Sequence, residues 1–270
     1  MPTTDTLSSY LAVAEEAARR AAGVLKHWQR RFSVREKGRF DLVTEADLAS
    51  QEAIRLYLHG RFPDHGFLGE EEGHGANRPG PGAPPTWIVD PLDGTSNYVH
   101  GVPLYCVSIG LMVDGELVVG VVLDPAREEL FKAAKGMGAW LGSTRIQTSV
   151  VAKLDQAMLA TGFPPDVRGQ EKLFDCWRHF SQHSQAIRRT GSTALNLAYV
   201  AAGRFDGYWA FDNHVWDVAG GVVLVREAGG KVTNANGSIY DPFTPDAVAS
   251  NGPLQELLLD GLVEIQKSQE

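Results

Sequence analysis

The run Trp87-Ile88-Val89-Asp90-Pro91-Leu92-Asp93 constrains this chain more than any other stretch. Trp87 to Val89 reads as a short buried strand. Proline cannot donate to a sheet ladder, so the strand is expected to stop at Asp90-Pro91. Asp90 and Asp93 follow with the Leu92 carbonyl between them. Gly94-Thr95 then opens a turn into a short helix, with Thr95 and Ser96 as capping candidates. Such a segment gathers oxygen ligands and free backbone N–H groups at one point, a metal site beside an anion site. An isolated Asp-Gly pair is ordinary turn chemistry. The weight here comes from pieces supplied elsewhere in the chain.

Composition sets the outer bounds. The 270 residues are 43% hydrophobic and 21% charged, ordinary for a soluble globular protein, and they suit one large domain or two fused ones. A net charge of −8 argues against a general nucleic-acid binder. No N-terminal stretch pairs a basic flank with an apolar run, and no apolar segment is long enough to span a bilayer. Cys106 and Cys176 sit far apart with no metal-type spacing, so a reducing, cytoplasmic compartment is expected.

Leu7, Leu11, Ala14, Ala18, Ala21, Leu25, Trp28 and Phe32 recur at three- and four-residue steps, which predicts one long structural helix. Val34 to Phe40 is polar and charged and reads as a mobile loop, on which Lys37 is either solvated or able to close over a phosphate. Thr44 is placed to cap a helix running through Leu48, Ile54, Leu56 and Leu58 to His59-Gly60. Asp47 lies three residues after that cap, where a carboxylate favours the positive helix end. Phe67-Leu68-Gly69 leads into Glu70-Glu71-Glu72, and Glu70 is expected to leave a strand end toward Asp90 and Asp93. His74 to Pro85 is a Gly/Pro-rich linker. Two β-rich runs around Asp114-Gly115 predict a hairpin with a primed turn. Glu129–Ala134 and Ala139–Leu141 extend it into an antiparallel sheet expected to act only as scaffold.

After about Ser149 strands and helices alternate: strand 158–161, helix 171–182, strand 186–189, then Gly191-Ser192-Thr193 capping a helix at 194–202. A strand at 205–211 precedes a helix that opens at Trp216-Asp217 and closes before Gly229. The change of pattern divides the chain into halves, 1–148 with Glu70 and the first Asp motif and 149–270 with the Trp-Asp motif, within one continuous fold. Asp217 at a helix start suits capping, and its other oxygen stays available to a metal.

If Glu70, Asp90, Asp93 and Asp217 converge, four negative charges share one small volume. Their mutual repulsion raises some pKa values unless cations bind. All the candidate ligands are oxygen, so two or three Mg²⁺ ions, with Mn²⁺ possible, are preferred over Zn²⁺. Two such ions flanking a phosphate can activate a water and stabilise the leaving oxygen. A phosphate-ester hydrolase follows, and no Ser/His/Asp or Cys nucleophile pattern competes with it.

Asp90-Pro91-Leu92-Asp93-Gly94-Thr95-Ser96-Asn97 and Trp216-Asp217-Val218-Ala219-Gly220 resemble the two signature motifs of the inositol monophosphatase family. Gly69-Glu70-Glu71 and Asp41 to Asp47 are similar to its other site segments, and the likeness runs from the first helix to about Gly252. The resemblance implies a layered αβαβα sandwich of the inositol monophosphatase and fructose-1,6-bisphosphatase type. It implies a Mg²⁺-dependent, lithium-sensitive phosphomonoesterase that acts on a small phosphate ester as a homodimer. By that likeness Glu70, Asp90, the Leu92 carbonyl, Asp93 and Asp217 bind metal. Thr95 and Asp47, assisted by Glu70, orient and activate the attacking water, and the Gly94 and Thr95 N–H groups hold the phosphate. Lys37 falls on the family's mobile metal-site loop, one residue short of the usual offset from Asp41.

One departure bears on substrate. Inositol-specific members carry a glutamate seven residues before the second-motif aspartate, and here that place is Ala210. Asp93, Thr193, Asp212 and His214 are the remaining substrate-contact candidates. Inositol monophosphate is the default substrate, with histidinol phosphate, fructose 1,6-bisphosphate and 3′-phosphoadenosine 5′-phosphate as alternatives. Asp212 or Glu71 would supply the extra carboxylate that a cationic substrate needs. A regulatory binding protein, with or without phosphatase activity, is the alternative of a different class; membrane association is not expected.

Overall fold

The computed structural model describes residues 2–73, 78–80 and 82–267. The long helix is α1, Thr4–Trp28, and Thr3 caps it by accepting from the Thr6 N–H. Leu7, Leu11, Ala14, Ala18, Ala21 and Leu25 are buried, as their spacing predicts, while Phe32 packs beyond the helix end.

The segment read as a loop is a two-stranded ribbon. Strand β1, Val34–Gly38, pairs antiparallel with β2, Asp41–Thr44, around Phe40 at φ 61°. Exposed charged side chains on β1 hide this ribbon from a reading that looks for an apolar face. Thr44 then caps α2, Glu45–Arg61, with Asp47 completing a capping box. Ile54 and Leu58 of α2 are buried, but Leu48 and Leu56 are 46% and 64% exposed. Only part of that apolar pattern is core.

Strand β3, Gly66–Gly69, delivers Glu70 to a single turn, α3, Glu70–Gly73. Of the His74–Pro85 linker, residues 74–77 and 81 lie outside the described residues. Strand β4, Thr86–Asp93, does not stop at Pro91. Asp90 pairs with Ser108 and Asp93 with Cys106, so one extra residue is accommodated between them as a bulge. A bulge asks no ladder hydrogen bond of a proline, which is how the strand survives it. Gly94, at φ 95°, caps the short helix α4, Thr95–Val99, and neither Thr95 nor Ser96 does so. A Cβ on Gly94 would stand 2.9 Å from the Leu104 carbonyl oxygen. The expected hairpin is β5, Cys106–Val113, and β6, Glu116–Asp124, with positive φ at both Asp114 and Gly115.

Strands β7, Glu129–Ala134, β8, Gly138–Leu141, and β9, Thr144–Ile146, complete a seven-stranded sheet, antiparallel except where β3 meets β4. Because β4 belongs to it, this sheet carries the site and is more than scaffold.

The second sheet has five strands in the order β11-β10-β12-β14-β13. They are β10, Met158–Thr161; β11, Ala186–Arg188; β12, Gly207–Ala210; β13, Lys231–Thr233; and β14, Ala247–Ser250. Between the sheets lie α6, Thr193–Ala201, capped by Ser192, and α7, Val215–Glu227. On the outer face of the second sheet are α5, Glu171–His183, and α8, Gln255–Lys267. With α1 and α2 covering the first sheet, the layers run αβαβα.

Helix α7 lies at backbone-contact distance from β5 and β6. A Cβ on Gly120 would fall 2.2 Å from the Gly220 carbonyl oxygen, and one on Gly110 would fall 2.6 Å from the Ala219 Cβ. Small residues on both surfaces therefore fix how deeply the α7 start, and Asp217 with it, sits in the molecule.

Candidate active site

The ends of these elements enclose a cleft of about 400 Å³. Glu70, Asp90, Leu92, Asp93 and Asp217 line it together, as do Gly94, Thr95, Thr193, Asp212 and His214. Lys37 and Asp47 stand behind that lining, and each touches it through a lining residue.

Asp93 leaves the β4 bulge and meets the start of α6. It accepts from the Ser192 hydroxyl at 2.6 Å, the Ala194 N–H at 2.6 Å and the Thr193 N–H at 3.2 Å. Burial pushes its pKa up to about 6 against the pull of those donors, and the charge of Glu70 adds to the rise. Asp90 accepts the Leu92 N–H at 3.0 Å. Burial holds its carboxyl well above the usual range, and Glu70, Asp93 and Asp217 push the same way. Asp217 accepts the His214 N–H at 2.7 Å at the head of α7, and burial followed by Glu70 raises it likewise.

Asp47 divides its two oxygens. Oδ2 takes the Thr44 N–H at 2.8 Å and the Thr44 hydroxyl at 2.7 Å, completing the cap. Oδ1 faces the Thr95 hydroxyl at 3.1 Å, which also lies 3.1 Å from the Leu92 carbonyl. One hydroxyl has one proton, so Thr95 donates to one of these at a time. Capping and contact with the site are compatible in the same side chain.

Lys37 is not merely solvated. Its Nζ bonds Glu70 at 2.9 Å and Glu71 at 2.7 Å. Burial alone would lower its pKa, and the two glutamates outweigh that and raise it. Glu71 is thereby engaged and does not line the cleft, so it is not the spare carboxylate for a cationic substrate; Asp212 is the one that faces the cleft.

Among the described residues no three Asp, Glu, His or Cys side chains are drawn into a ready-made metal cage. What the cleft offers is a donor set: Glu70, Asp90, Asp93 and Asp217 with the Leu92 carbonyl, burial raising the proton affinity of the three aspartates, and no cysteine or histidine cluster among the described residues. That chemistry fits hard divalent cations.

The opposite wall contains residues that the sequence did not single out. Gly162, Phe163, Pro164 and Pro165 follow β10, and Arg189 follows β11. Below them the Tyr208 hydroxyl stands 3.1 Å from both Thr193 Oγ1 and Asn213 Oδ1. Ala210 is buried behind Gly162, its methyl 3.4 Å from where a Gly162 Cβ would stand, and it does not line the cleft. The signal that could have found this wall is topological. It lies past the carboxyl ends of parallel strands, where open α/β sheets bind ligands.

The model of the inositol monophosphatase family matches residues 6–268. The chain belongs to this family. It is similar, at 41% identity over 259 residues, to the inositol-1-monophosphatase of Synechocystis sp., which covers 95% of the chain and 89% of that protein. It is 42% identical over 234 residues to Nus factor SuhB of Pseudomonas aeruginosa, covering 84% and 86%. The crystal structure of extragenic suppressor protein suhB from Bartonella henselae aligns with TM-score 0.88 at 36% identity, covering 94% of the chain and 98% of that one. The layered sandwich is the architecture of these relatives, and this family member is an inositol-monophosphatase-like phosphoric monoester hydrolase. No helix among the described residues is long and apolar enough to cross a membrane.

Proposed function

We propose that this phosphatase hydrolyses a small phosphate monoester, inositol monophosphate first among them, with Mg²⁺ held by Glu70, Asp90, the Leu92 carbonyl, Asp93 and Asp217. The observation that carries this reading is the meeting of the buried Asp90 and Asp93 with Glu70 and Asp217 in one cleft, beside the paired Thr95 hydroxyl and Asp47 carboxylate. Bound Mg²⁺ would supply neutralisation of the phosphoryl charge and a lowered pKa for water.

The protein's own groups would do the rest. The first N–H groups of a helix have no partner within it, which leaves those at Gly94 and Thr95 for phosphate oxygens. Thr95 Oγ1, donating to Asp47 Oδ1, keeps its lone pairs for a proton of the attacking water. Asp47 thereby fixes the orientation of the hydroxyl, and Glu70 supports the same water. Asp93, Thr193, Asp212 and His214 would contact the alcohol portion of the ester. Lithium inhibition, a homodimer and a cytoplasmic location belong to the same reading; a LiCl titration and sedimentation velocity check the first two.

Phosphate release with and without Mg²⁺ tests the proposal on inositol 1-phosphate, histidinol phosphate, fructose 1,6-bisphosphate and 3′-phosphoadenosine 5′-phosphate. One preferred ester, released only with metal, supports it and identifies the substrate. No release from any of them removes it.

The relative named Nus factor SuhB motivates a second reading, a protein-binding role beside catalysis. Affinity capture with a catalytically silent variant tests it, and an empty eluate would count against it.

A further inference from the structure

Six carboxylates line the cleft: Asp41, Glu70, Asp90, Asp93, Asp212 and Asp217. Arg189 is the one lysine or arginine among the described lining residues, since Lys37 is held by Glu70 and Glu71 outside the lining. None of the six carboxylates forms an ion pair with Arg189. Its side chain makes no hydrogen bond to any described residue. A guanidinium left unpaired in so acidic a cleft stands apart from the acid cluster.

Its backbone placement is well defined. β10 runs parallel to both β11 and β12, with Ala160 opposite Arg188 and Thr161 opposite Trp209. One step past Arg188, Arg189 falls level with Thr161 and Trp209 on neighbouring strands about 4.8 Å apart, and Gly162 and Ala210 lie one residue further on. The loop after Arg189 is clamped to the phosphate turn: the Thr190 carbonyl accepts from Asn97 Nδ2 at 2.8 Å, and the Gly191 carbonyl oxygen lies 3.3 Å from where a Gly94 Cβ would stand. Arg189 thus rises between the Gly94–Thr95 turn and the wall of Gly162 to Pro165. Around it that wall is neutral and has room, because Gly162 has no side chain and the Ala210 methyl lies behind it.

We infer that Arg189 is a specificity residue that binds a second anionic group, a phosphate or a carboxylate, on the alcohol portion of the substrate. This rests on the phosphatase reading above. An anion entering a cleft lined by carboxylates is repelled unless a cation meets it. The planar guanidinium can take two oxygens of either anion at once. The esters that Arg189 would favour are therefore those whose leaving alcohol is itself charged. A neutral polyol gains nothing from this residue.

The experiment uses the full chain with Mg²⁺ and two matched pairs, fructose 1,6-bisphosphate against fructose 1-phosphate and 2-phosphoglycerate against glycerol 2-phosphate. The wild-type protein is expected to favour the doubly anionic member of at least one pair by about tenfold in kcat/KM, the scale of a charge-assisted contact. The pair that responds tells phosphate from carboxylate. Arg189→Gln brings the ratio close to one, with the loss in KM, and Arg189→Lys restores most of it. A wild-type ratio near one for both pairs, or a ratio that Arg189→Gln leaves in place, overturns the inference. An equal loss on all four esters does so too, since it would mean contact with the transferred phosphoryl or a folding defect. Release from none of the four, with inositol 1-phosphate still hydrolysed, overturns the inference alone, as does release from all without preference. The phosphatase reading itself falls only if inositol 1-phosphate and the other esters of its own panel are left intact as well.

Discussion

The two walls of the cleft are held in opposite ways. On the acid wall, the carboxylates are oriented by donors: Asp93 by Ser192 and the α6 N–H groups from far along the chain, Asp47 by Thr44 and Asp217 by the His214 N–H from three residues away. The facing wall of Gly162 to Pro165 and Arg189 presents small, apolar or unpaired groups. Burying like charges costs folding energy that only a bound cation returns, so the first wall is specialised for one kind of partner. The second wall makes no such demand and is free to set which alcohol is accepted. On the proposed reading, catalysis belongs to the first wall and substrate choice to the second.

The largest test of this division is Asp93→Asn. It removes one charge from the acid wall while keeping the size of the side chain, and kcat/KM should fall about a thousandfold on every ester alike. A loss confined to one ester would place Asp93 on the selective wall instead. Next in size is Gly120→Ala. The added Cβ meets the Gly220 carbonyl and must lift α7 from the sheet, at an expected cost of about 3 kcal/mol in urea unfolding. Because α7 carries Asp217, activity should fall together with stability. Unchanged stability would show that the helix can shift freely, and that the acid wall is less rigidly placed than the glycine contacts indicate.

Ala210→Glu addresses the other wall. It restores a carboxylate at the place where inositol-specific members carry one, near Gly162, Thr193 and the Tyr208 hydroxyl. The ratio of inositol 1-phosphate to fructose 1,6-bisphosphate turnover should rise about tenfold, the value of one charged hydrogen bond. An unchanged ratio would mean that the buried position cannot reach substrate.

The same contrast explains what was legible in the sequence. Each acid-wall residue stands in a local pattern: Asp90 and Asp93 around Pro91, Asp47 three residues after Thr44, and Asp217 at a helix start. Their convergence follows once those elements are placed. The β1–β2 ribbon was hidden because β1 is charged and largely exposed, with no alternating apolar face. The passage of β4 through Pro91 was hidden because a bulge depends on the partner strand, which local propensity does not see. Strands β9, β13 and β14 are each four residues or fewer and owe their existence to neighbours already in place. Gly162 and Arg189 carry no motif, since only the parallel pairing of β10, β11 and β12 brings them to the cleft.

The smallest expected effect concerns the coupling of metal, protons and folding on the acid wall. Asp90, Asp93 and Asp217 hold their protons more tightly in the folded chain than carboxylates do in an unfolded one, Asp93 with a pKa of about 6. Between the ordinary carboxylate range and pH 6 the folded state therefore carries the extra protons. Raising the pH through that window removes stability from the metal-free protein. Mg²⁺ must displace those protons to bind, so its stabilising effect should have the opposite dependence, absent near pH 5 and full near pH 8. At five times its Kd the ion would add about 1 kcal/mol, or about 2–4 °C in Tm for a chain of this length. Thermal unfolding from pH 5 to 8, with Mg²⁺ and with EDTA, reads both trends in one experiment. A metal-induced gain that stays level across the range would place the ion away from these carboxylates and dissolve the distinction between the two walls.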